Sequence, residues 1–268
     1  MGMQMKIKAP ISVIIPCYNC AKTVETAVNS ILKQSVCVKE IILVDDFSGD
    51  QTLRILYFLV KKYGDTLKVV KLPINSGPGC ARNKGWEIAT QPWIAFLDAD
   101  DAWHPRKIEI QWNWLKLHPD VVLCGHATEV SYGEINYPLA DEVKASPVSM
   151  TQMLISNRLP TRSVMVRRDI PFRFISDRCE DYFLWLEIIA ANLPAWKINL
   201  PLAVSFREEY SVGGMSSALW KHEKGEIRAL HRLFASGRLN SLTFMLASMW
   251  SLIKYCRRWL YQYIPVGA

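Results

Sequence analysis

The sequence of 268 residues lacks a hydrophobic run long enough to cross a bilayer. Its longest late apolar stretch, residues 242–253, carries serines and stops at Lys254, short of the roughly 20 residues that a spanning helix needs. The apolar run at residues 11–15 is shorter than the roughly 7 to 15 residues of a signal-peptide core. We therefore expect neither a transmembrane helix nor a secretion signal, and we predict a cytoplasmic protein.

The sequence also lacks internal repeats, low-complexity linkers and a zinc-binding pattern. Among its 7 cysteines, Cys17 and Cys20 form a CxxC pair, but a zinc site needs a second pair or histidines at ligand spacing. The pair also lacks the neighbours of a redox motif at a helix start. We expect reduced cysteines within one domain of catalytic size.

The formal net charge of +7 suits an anionic partner. Much of the excess lies late in the chain, at Arg228, Arg232, Arg238, Lys254, Arg257 and Arg258. Because the first hundred residues are comparatively rich in aspartate, this asymmetry favours a tail that faces an anionic membrane over a nucleic-acid groove. We expect no nucleic-acid partner.

The last predicted helix has an apolar face that allows two interpretations. This face comprises Leu242, Met245, Met249, Ile253, Cys256 and Leu260, with basic residues near its end. Either the face docks on the catalytic domain, or it lies in the headgroup layer of an anionic membrane. The sequence leaves both open, and it does not reveal the oligomeric state.

The first half of the chain alternates apolar strands with amphipathic helices. Strands are predicted at residues 11–15, 40–45, 67–72 and 93–97. Helices are predicted between them, the first capped by Asn19, the second by Ser48 or Asp50, and the third at residues 81–89. This alternation predicts a parallel sheet covered on both faces.

Beyond residue 118 the pattern loosens. Strands are predicted at residues 121–124, 163–166 and 195–206, and helices at residues 150–156 and 181–191, before two final helices. This second half is where we expect the specificity for a second substrate to reside.

Acidic side chains follow successive strands at the edge where such sheets bind ligands. They are Asp45, Asp46, Asp98, Asp100 and Asp101. Like charges so close repel unless a cation lies between them, so we expect these carboxylates to meet around one divalent ion. The DxD pattern at residues 98–100 suits a hard ion that completes its shell from a diphosphate. On this motif alone, a solvated turn remains the alternative.

Five blocks of sequence stand in a fixed order along the chain: Ile14-Ile-Pro-Cys-Tyr-Asn, Val44-Asp-Asp-Phe-Ser-Gly-Asp, Asn75-Ser-Gly-Pro-Gly-Cys-Ala-Arg-Asn, Phe96-Leu-Asp-Ala-Asp-Asp and Cys179-Glu-Asp-Tyr-Phe-Leu-Trp-Leu. In this order they resemble the motifs of family-2 inverting glycosyltransferases with the GT-A fold. The resemblance covers residues 10–210. Processive members carry a Gln-x-x-Arg-Trp signature, and Tyr255-Cys-Arg-Arg-Trp259 lacks the glutamine, so the resemblance implies a non-processive enzyme.

The resemblance implies a site for a nucleotide-diphosphate sugar, most simply a UDP-sugar. Tyr18 would stack on the nucleobase, and Asp46 or Asp45 would accept a hydrogen bond from the base edge. Asp98 would contact the ribose or donor sugar, and with Asp100 as the principal ligand it would hold Mn²⁺ or Mg²⁺. The other implied donor-binding residues are Pro16, Asn19, Arg82, Asn83, Ala99 and Arg207.

The resemblance also implies the roles of the later blocks. Asp181 would be the general base that takes the proton of the acceptor hydroxyl, and Glu180 would orient the acceptor. Arg207 would reach the diphosphate ahead of a lid that includes Gly213 and Gly214, although Phe206 replaces the tyrosine common at its position.

We therefore predict an α/β protein with the GT-A (Rossmann-like) nucleotide-diphospho-sugar transferase fold and C-terminal helices. Residues 1–210 would form the catalytic domain, with a nucleotide-sugar half at 10–118 and an acceptor half at 119–210, and residues 211–268 would form the lid and helices. The acceptor would be a glycan or a polyprenyl-linked glycan in cell-surface polysaccharide or lipopolysaccharide synthesis. The inner face of the cell membrane is the expected place if the tail binds lipid.

Other functions fit less well. A haloacid-dehalogenase-type phosphatase carries its Asp-x-Asp after the first strand, whereas here the motif follows the fourth. A nicotinamide-dependent dehydrogenase needs a glycine-rich turn where this chain has Pro16-Cys-Tyr-Asn. A non-catalytic nucleotide-sugar or glycan-binding module would be expected to have lost Asp181 or Asp100, and both are present.

Overall fold

A computed structural model describes residues 8–130, 142–206 and 219–263. The strands are β1 Lys8–Cys17, β2 Cys37–Asp45, β3 Leu67–Lys71, β4 Trp93–Phe96, β5 Asp101–Trp103, β6 Leu123–Val130, β7 Ala145–Pro147, β8 Met165–Arg167 and β9 Ala195–Ser205. The helices are α1 Val24–Leu32, α2 Thr52–Tyr63, α3 Pro78–Ile88, α4 Lys107–Leu117, α5 Met150–Ile155, α6 Glu180–Ala190, α7 Leu219–Ala235 and α8 Ser241–Tyr263.

One mixed sheet runs through both halves of the chain, in the order β3-β2-β1-β4-β8-β6-β9-β5, with β7 paired to β9. The predicted parallel sheet of the first half is confirmed, because β1 pairs parallel with β2 and β4, and β2 pairs parallel with β3. Strand β8 then runs antiparallel to both β4 and β6. The second half therefore extends the same sheet.

Strand β5 was not predicted, because its three residues are too few to show a period. It pairs antiparallel with β9 at the opposite end of the sheet from β3. The chain thus leaves β4, turns at residues 98–100 and re-enters the sheet elsewhere. The Asp101 amide donates to the Asp98 carbonyl across this turn, at 3.1 Å. The DxD turn consequently lies between the two halves of the sheet.

Both faces of the sheet are covered, as near-continuous apolar strands require. Along β1, Val13 packs in the core beneath α1, α2 and α4, and Ile14 packs in the opposite core beneath α3, α6 and α7. Helix α3 lies so close to β1 that a Cβ at Gly85 would be 2.5 Å from Ile14 Cγ2. Only glycine fits at this crossing, which sets the position of α3.

Of the predicted helix caps, Asp50 is found at the start of α2, where its Oδ1 accepts the Thr52 amide at 2.9 Å, and Asn19 is wrong for α1. Helix α1 begins after Thr23, and α2 begins after Gln51, neither of which makes a side-chain cap. Asn19 instead has a left-handed φ of 48° and belongs to the loop at the end of β1. Its Oδ1 accepts the Gly49 amide at 2.9 Å, so it joins the loops after β1 and β2 rather than capping a helix.

Helix α8 packs on α7 with its polar face inward. It buries Ala247 and Ser251, and ion pairs join Arg258 to Glu223 at 3.0 Å and Lys254 to Glu226 at 3.3 Å. All six residues of the apolar face singled out in the sequence are exposed. Docking of that face on the catalytic domain is therefore wrong. Among the helices of the described residues, none is long and apolar enough to cross a membrane.

Candidate active site

Two aromatic side chains are exposed where β1 and β2 end. Tyr18, predicted to stack on a nucleobase, follows β1 and is 53% exposed. Phe47 follows β2, is 50% exposed and has a φ of 61°, a conformation that costs a bulky residue energy. Pro16 lies in register with Val44 between these strand ends. No role was predicted for the Phe47 ring.

The carboxylates after β2 are buried and hold the neighbouring loops. Asp46 accepts the Ser76 amide at 2.8 Å on one oxygen and the Gly77 amide at 2.8 Å on the other. Asp45 is fully buried and accepts the Ser48 amide at 3.4 Å. A carboxylate has about four lone-pair sites, so these contacts leave room for a further donor. The role of either residue in base recognition stays a prediction.

The acidic side chains after β4 have separate surroundings. Asp98 is partly exposed, and Asp100 is also only partly buried. Ala99 is buried. Asp101 is 2% exposed and accepts Arg162 Nη1 at 2.9 Å. Burial raises the pKa of the Asp101 carboxyl to about 7, although the charge of Arg162 opposes this rise.

The expectation that carboxylates from separate strands meet around one cation is wrong for the described residues. Within residues 8–130, 142–206 and 219–263, no group of three or more acidic, histidine or cysteine side chains could hold a metal ion. The physical reason is that Asp45 and Asp46 bind backbone amides, while Asp101 has its own arginine. These separate partners hold the carboxylates apart from one another, although Asp98 and Asp100 still contribute to the raised pKa of Asp101.

Asp98 and Asp100 remain as a pair of oxygen ligands. Asp98 Oδ1 accepts Arg82 Nη2 at 2.6 Å, which leaves Oδ2 for another partner. Two hard carboxylates, partly open to solvent, suit Mg²⁺ or Mn²⁺, which keep several waters or phosphate oxygens in their shells. The chemistry of these two residues therefore fits the predicted ion.

Arg82 connects the DxD turn to the start of α6. Its guanidinium, 5% exposed, donates from Nη2 to Asp98 and from Nη1 to Glu180 Oε1 at 2.7 Å. Burial lowers the pKa of Arg82, but the charges of Asp98 and Glu180 outweigh it and raise the pKa above its ordinary value. Burial raises the pKa of Glu180, and Arg82 opposes that rise. Asp98 and Glu180, which are far apart in sequence, thus bind the same guanidinium group.

Helix α3 also positions the segment that precedes α6. Asn83 Nδ2 donates to the Phe174 carbonyl at 2.7 Å, and Asn83 Oδ1 accepts the Phe174 amide at 3.0 Å. A Cβ on Gly79 would be 2.7 Å from the Ile175 carbonyl oxygen and 3.0 Å from Glu180 Cγ. The amide of Asn83 is thus engaged with protein backbone, and its predicted support of the nucleotide would act through this packing.

Asp181 lies in the first turn of α6 and is partly exposed. Its Oδ2 accepts the Thr161 hydroxyl at 2.8 Å, and its Oδ1 accepts the Tyr182 amide at 2.7 Å. The preceding Cys179 has a left-handed φ of 59°, an uncommon conformation for a residue with a side chain. Thr161 and its neighbour Arg162 were missed, because they lie in the segment without a clear pattern.

The predicted lid contact cannot be placed. Arg207 and the glycines of the lid fall within residues 207–218, outside the described part of the chain.

Comparisons with known proteins agree with this geometry. The family described as "Glycosyl transferase family 2" matches residues 12–179. The chain is 29% identical over 185 residues to UDP-Glc:alpha-D-GlcNAc-diphosphoundecaprenol beta-1,3-glucosyltransferase WfgD of Escherichia coli, covering 68% of this chain and 70% of that protein.

Two solved structures share the fold. One is S. aureus TarS in complex with UDP-GlcNAc, with a TM-score of 0.68 and 21% identity over 97% of this chain and 73% of that one. The other is the mannosyltransferase PcManGT from Pyrobaculum calidifontis in complex with GDP-Man and Mn²⁺. Its TM-score is 0.66, with 17% identity over 97% of this chain and 76% of that one. The predicted GT-A fold is confirmed.

The fold and the ordered motifs define a glycosyltransferase that uses a nucleotide-sugar donor. This chain belongs to glycosyl transferase family 2, whose members are inverting enzymes.

Proposed function

We propose that this protein transfers one sugar from a UDP-sugar to a hydroxyl of a lipid-linked glycan during the synthesis of a cell-surface polysaccharide. The observation that carries the proposal is the Arg82 guanidinium, which binds Asp98 and Glu180 at once. It brings the DxD turn, which would face the donor diphosphate, next to Asp181, which would face the acceptor. The Escherichia coli relative, which is named for a diphosphoundecaprenol-linked acceptor, supports the choice of acceptor.

The donor would lie across the carboxyl ends of β1, β2 and β4. Tyr18 would stack on the base, with Asp45 or Asp46 near the base edge, and Pro16, Asn19 and Ala99 would line the nucleotide. Arg82 would hold Asp98 in place against the ribose or donor sugar. A side chain as exposed as Tyr18 gains stacking surface only when a ring covers it.

Asp181 would remove the acceptor proton. The acceptor oxygen attacks the anomeric carbon from the face opposite the diphosphate, the bond to the diphosphate breaks with its electron pair, and configuration inverts. The proton passes to the Asp181 carboxylate, which the Thr161 hydroxyl holds in position. Glu180, bound to Arg82, would orient the acceptor through the start of α6.

Asp98 and Asp100 would hold a divalent cation together with the donor diphosphate. When bound, Mn²⁺ or Mg²⁺ supplies positive charge to the departing diphosphate. The hydrogen bond from the Asp101 amide to the Asp98 carbonyl closes the turn, which keeps the Asp98 and Asp100 carboxylates at a fixed spacing. The Mn²⁺ complex of the Pyrobaculum calidifontis mannosyltransferase supports this choice of ion.

A thermal-shift panel tests donor and metal together. We expect a UDP-sugar with Mn²⁺ at about 100 times its dissociation constant to stabilise the fold by about 2.7 kcal/mol. That gain corresponds to a rise in Tm of several degrees for a chain of this size. Most of the rise in Tm should be lost when a GDP- or dTDP-sugar replaces the UDP-sugar, when EDTA is added, or when the Asp100→Asn variant is used. Equal stabilisation with EDTA would contradict the metal site.

We also propose that the protein binds the cytoplasmic face of an anionic membrane through α8. The outward face of this helix carries exposed apolar side chains along its length, including Leu242, Leu246, Ile253 and Leu260. Arg257 is exposed on the same side. Because the polar face of α8 packs against α7, the apolar face contacts either water or an apolar partner. Burial of this face in the headgroup layer removes its apolar side chains from water and so stabilises the attachment.

Sedimentation with vesicles tests this attachment. We expect Leu246→Asp to lower partition onto phosphatidylglycerol vesicles about tenfold, since it removes a large apolar contact and adds an anion. Leu117→Asp serves as the control, because Leu117 is 78% exposed at the end of α4, on another part of the molecule. Equal recovery of the wild type with neutral and anionic lipid would refute the attachment.

A further inference from the structure

A basic pocket lies between the start of α6 and the loop that Asp46 holds. It has a volume of about 480 Å³ and is enclosed by residues 76–79, residues 175–178 and the first turns of α7. Its lining includes the cations Arg178, Lys221, Lys224 and Arg228, against a single carboxylate, Asp177. Arg228 already pairs with Asp177 at 2.6 Å, and Lys221 and Lys224 give the pocket an excess of positive charge.

The pocket adjoins the proposed base. Residues 175–178 lead directly into Cys179, Glu180 and Asp181, and α7 packs against that segment. Cys179 Sγ lies 3.5 Å from the His222 carbonyl oxygen, and a Cβ on Gly225 would be 3.0 Å from both the Arg178 carbonyl oxygen and Cys179 Sγ. Because Gly225 permits this approach, the cations of α7 are held near the helix start that carries Asp181.

An apolar groove lies next to the pocket, between α7 and α8. It has a volume of about 970 Å³, and its apolar lining includes Trp220, Ile227, Phe234, Phe244, Met249 and Leu252. The groove follows α7 from Trp220 to Phe234, a span of 14 residues or about 21 Å at 1.5 Å per residue. Lys224 and Arg228 line both the groove and the basic pocket, so the two cavities adjoin along these side chains.

We propose that these cavities bind the lipid-linked acceptor, with its diphosphate in the basic pocket and the first isoprenoid units in the groove. This inference rests on the proposed function. A lipid diphosphate carries charge and apolar chain on adjacent atoms, which matches cations that open onto an apolar groove. With the diphosphate beside the start of α6, the sugar attached to it lies towards Asp181.

Charge favours this occupant over a second copy of the chain. In a two-fold dimer the same patch meets itself, so the cations of one copy would face an equally basic patch on the other. An anionic lipid meets those cations with opposite charge. A flat bilayer surface would reach the exposed Leu246 more readily than a concave groove between two helices.

Direct binding of geranylgeranyl diphosphate, measured by titration calorimetry on the full chain below the concentration of micelle formation, tests the site. We expect Lys224→Glu and Met249→Asp each to raise its dissociation constant at least about tenfold. The matched controls are Lys33→Glu, an exposed lysine at the end of α1, and Leu117→Asp, an exposed apolar residue at the end of α4. Both controls should bind as the wild type does. Leu246→Asp, on the face of α8 proposed to meet the membrane, tests for a general lipid surface.

The controls separate the rival occupants. The proposal is overturned if the probe does not bind, if all these variants bind it equally, or if Leu246→Asp weakens binding as much as Met249→Asp, which indicates a general lipid surface. Loss of self-association in Met249→Asp without any change in probe binding also overturns it, in favour of a dimer. Release of nucleoside diphosphate by the wild type is recorded separately, so failure of the transferase activity is distinguished from failure of the site.

Discussion

Asp181→Asn should lower turnover by about 10²–10⁴-fold while leaving donor affinity unchanged. The asparagine has nearly the same shape and can still accept the Thr161 hydroxyl through its carbonyl oxygen, but it cannot take the acceptor proton at neutral pH. The loss should therefore fall on kcat, because the donor binds at strand ends that the substitution does not touch. The measurement is release of nucleoside diphosphate with acceptor, alongside calorimetric binding of the UDP-sugar.

Glu187→Gln is the matched control for Asp181→Asn. Glu187 lies on the same helix, two turns further along, and pairs with Arg238 at 2.8 Å away from the proposed site. Its turnover should stay close to that of the wild type. If Asp181→Asn keeps a tenth or more of wild-type turnover, then Asp181 is not the base. A protein that binds the donor but shows no turnover in any variant would instead be a non-catalytic binding module.

Arg82→Met should lower the free energy of unfolding by about 3–5 kcal/mol, because it leaves the buried Glu180 carboxylate and the partly exposed Asp98 carboxylate without their shared cation. Glu180 is the more severely affected partner, since its side chain is 6% exposed, against 28% for Asp98. Turnover should also be lost, because the DxD turn and the start of α6 are no longer held together. Urea unfolding and release of nucleoside diphosphate measure the two effects.

The stability loss of Arg82→Met should depend on pH with a definite sign. Without the guanidinium, the pKa of Glu180 rises further above its unfolded value of about 4.3. A carboxyl with a raised folded-state pKa favours folding at low pH, and this benefit is lost as pH rises through the unfolded pKa towards the folded one. The deficit relative to the wild type is therefore expected to be smallest near pH 4 and to grow towards neutral pH.

Two further variants separate the lost cation from a lost packing contact. Adding Glu180→Gln to Arg82→Met removes the unpaired carboxylate and should recover part of the stability at neutral pH. Arg106→Met, which breaks the exposed pair with Glu109, should cost no more than about 1 kcal/mol. If Arg82→Met and Arg106→Met are equally stable, the bridge contributes nothing to the fold.

Most of the fold could be predicted, because its signals are local. Four apolar strands with amphipathic helices between them predicted the parallel half of the sheet, and β1, β2, β3 and β4 confirm it. The short strand β5 escaped prediction because three residues cannot display a period. Asn19 was misassigned because its side-chain oxygen accepts the Gly49 amide of the next loop, and no local sequence pattern shows such a contact.

The electrostatic organisation of the site was harder to predict, because it depends on contacts across the sheet. Clustered aspartates suggested one shared cation, but a sequence does not show that Asp46 binds two amides of a distant loop. Nor does it show that Asp101 has Arg162 as its partner. Thr161, whose hydroxyl donates to Asp181, lies in a segment whose apolar residues follow neither the helical period nor the alternation of a strand.

By itself the sequence determined the alternation of strands and helices, the ordered acidic motifs and hence the family, since each depends on residue types at short spacings. Only the tertiary structure decided that Arg82 joins residues 98 and 180, and that α8 turns its apolar side outward. Both depend on where distant elements meet, because charges pair and surfaces are buried through contacts in space. Arg82 and Glu180 are 98 residues apart in sequence and can pair only after the sheet has brought α3 and α6 together.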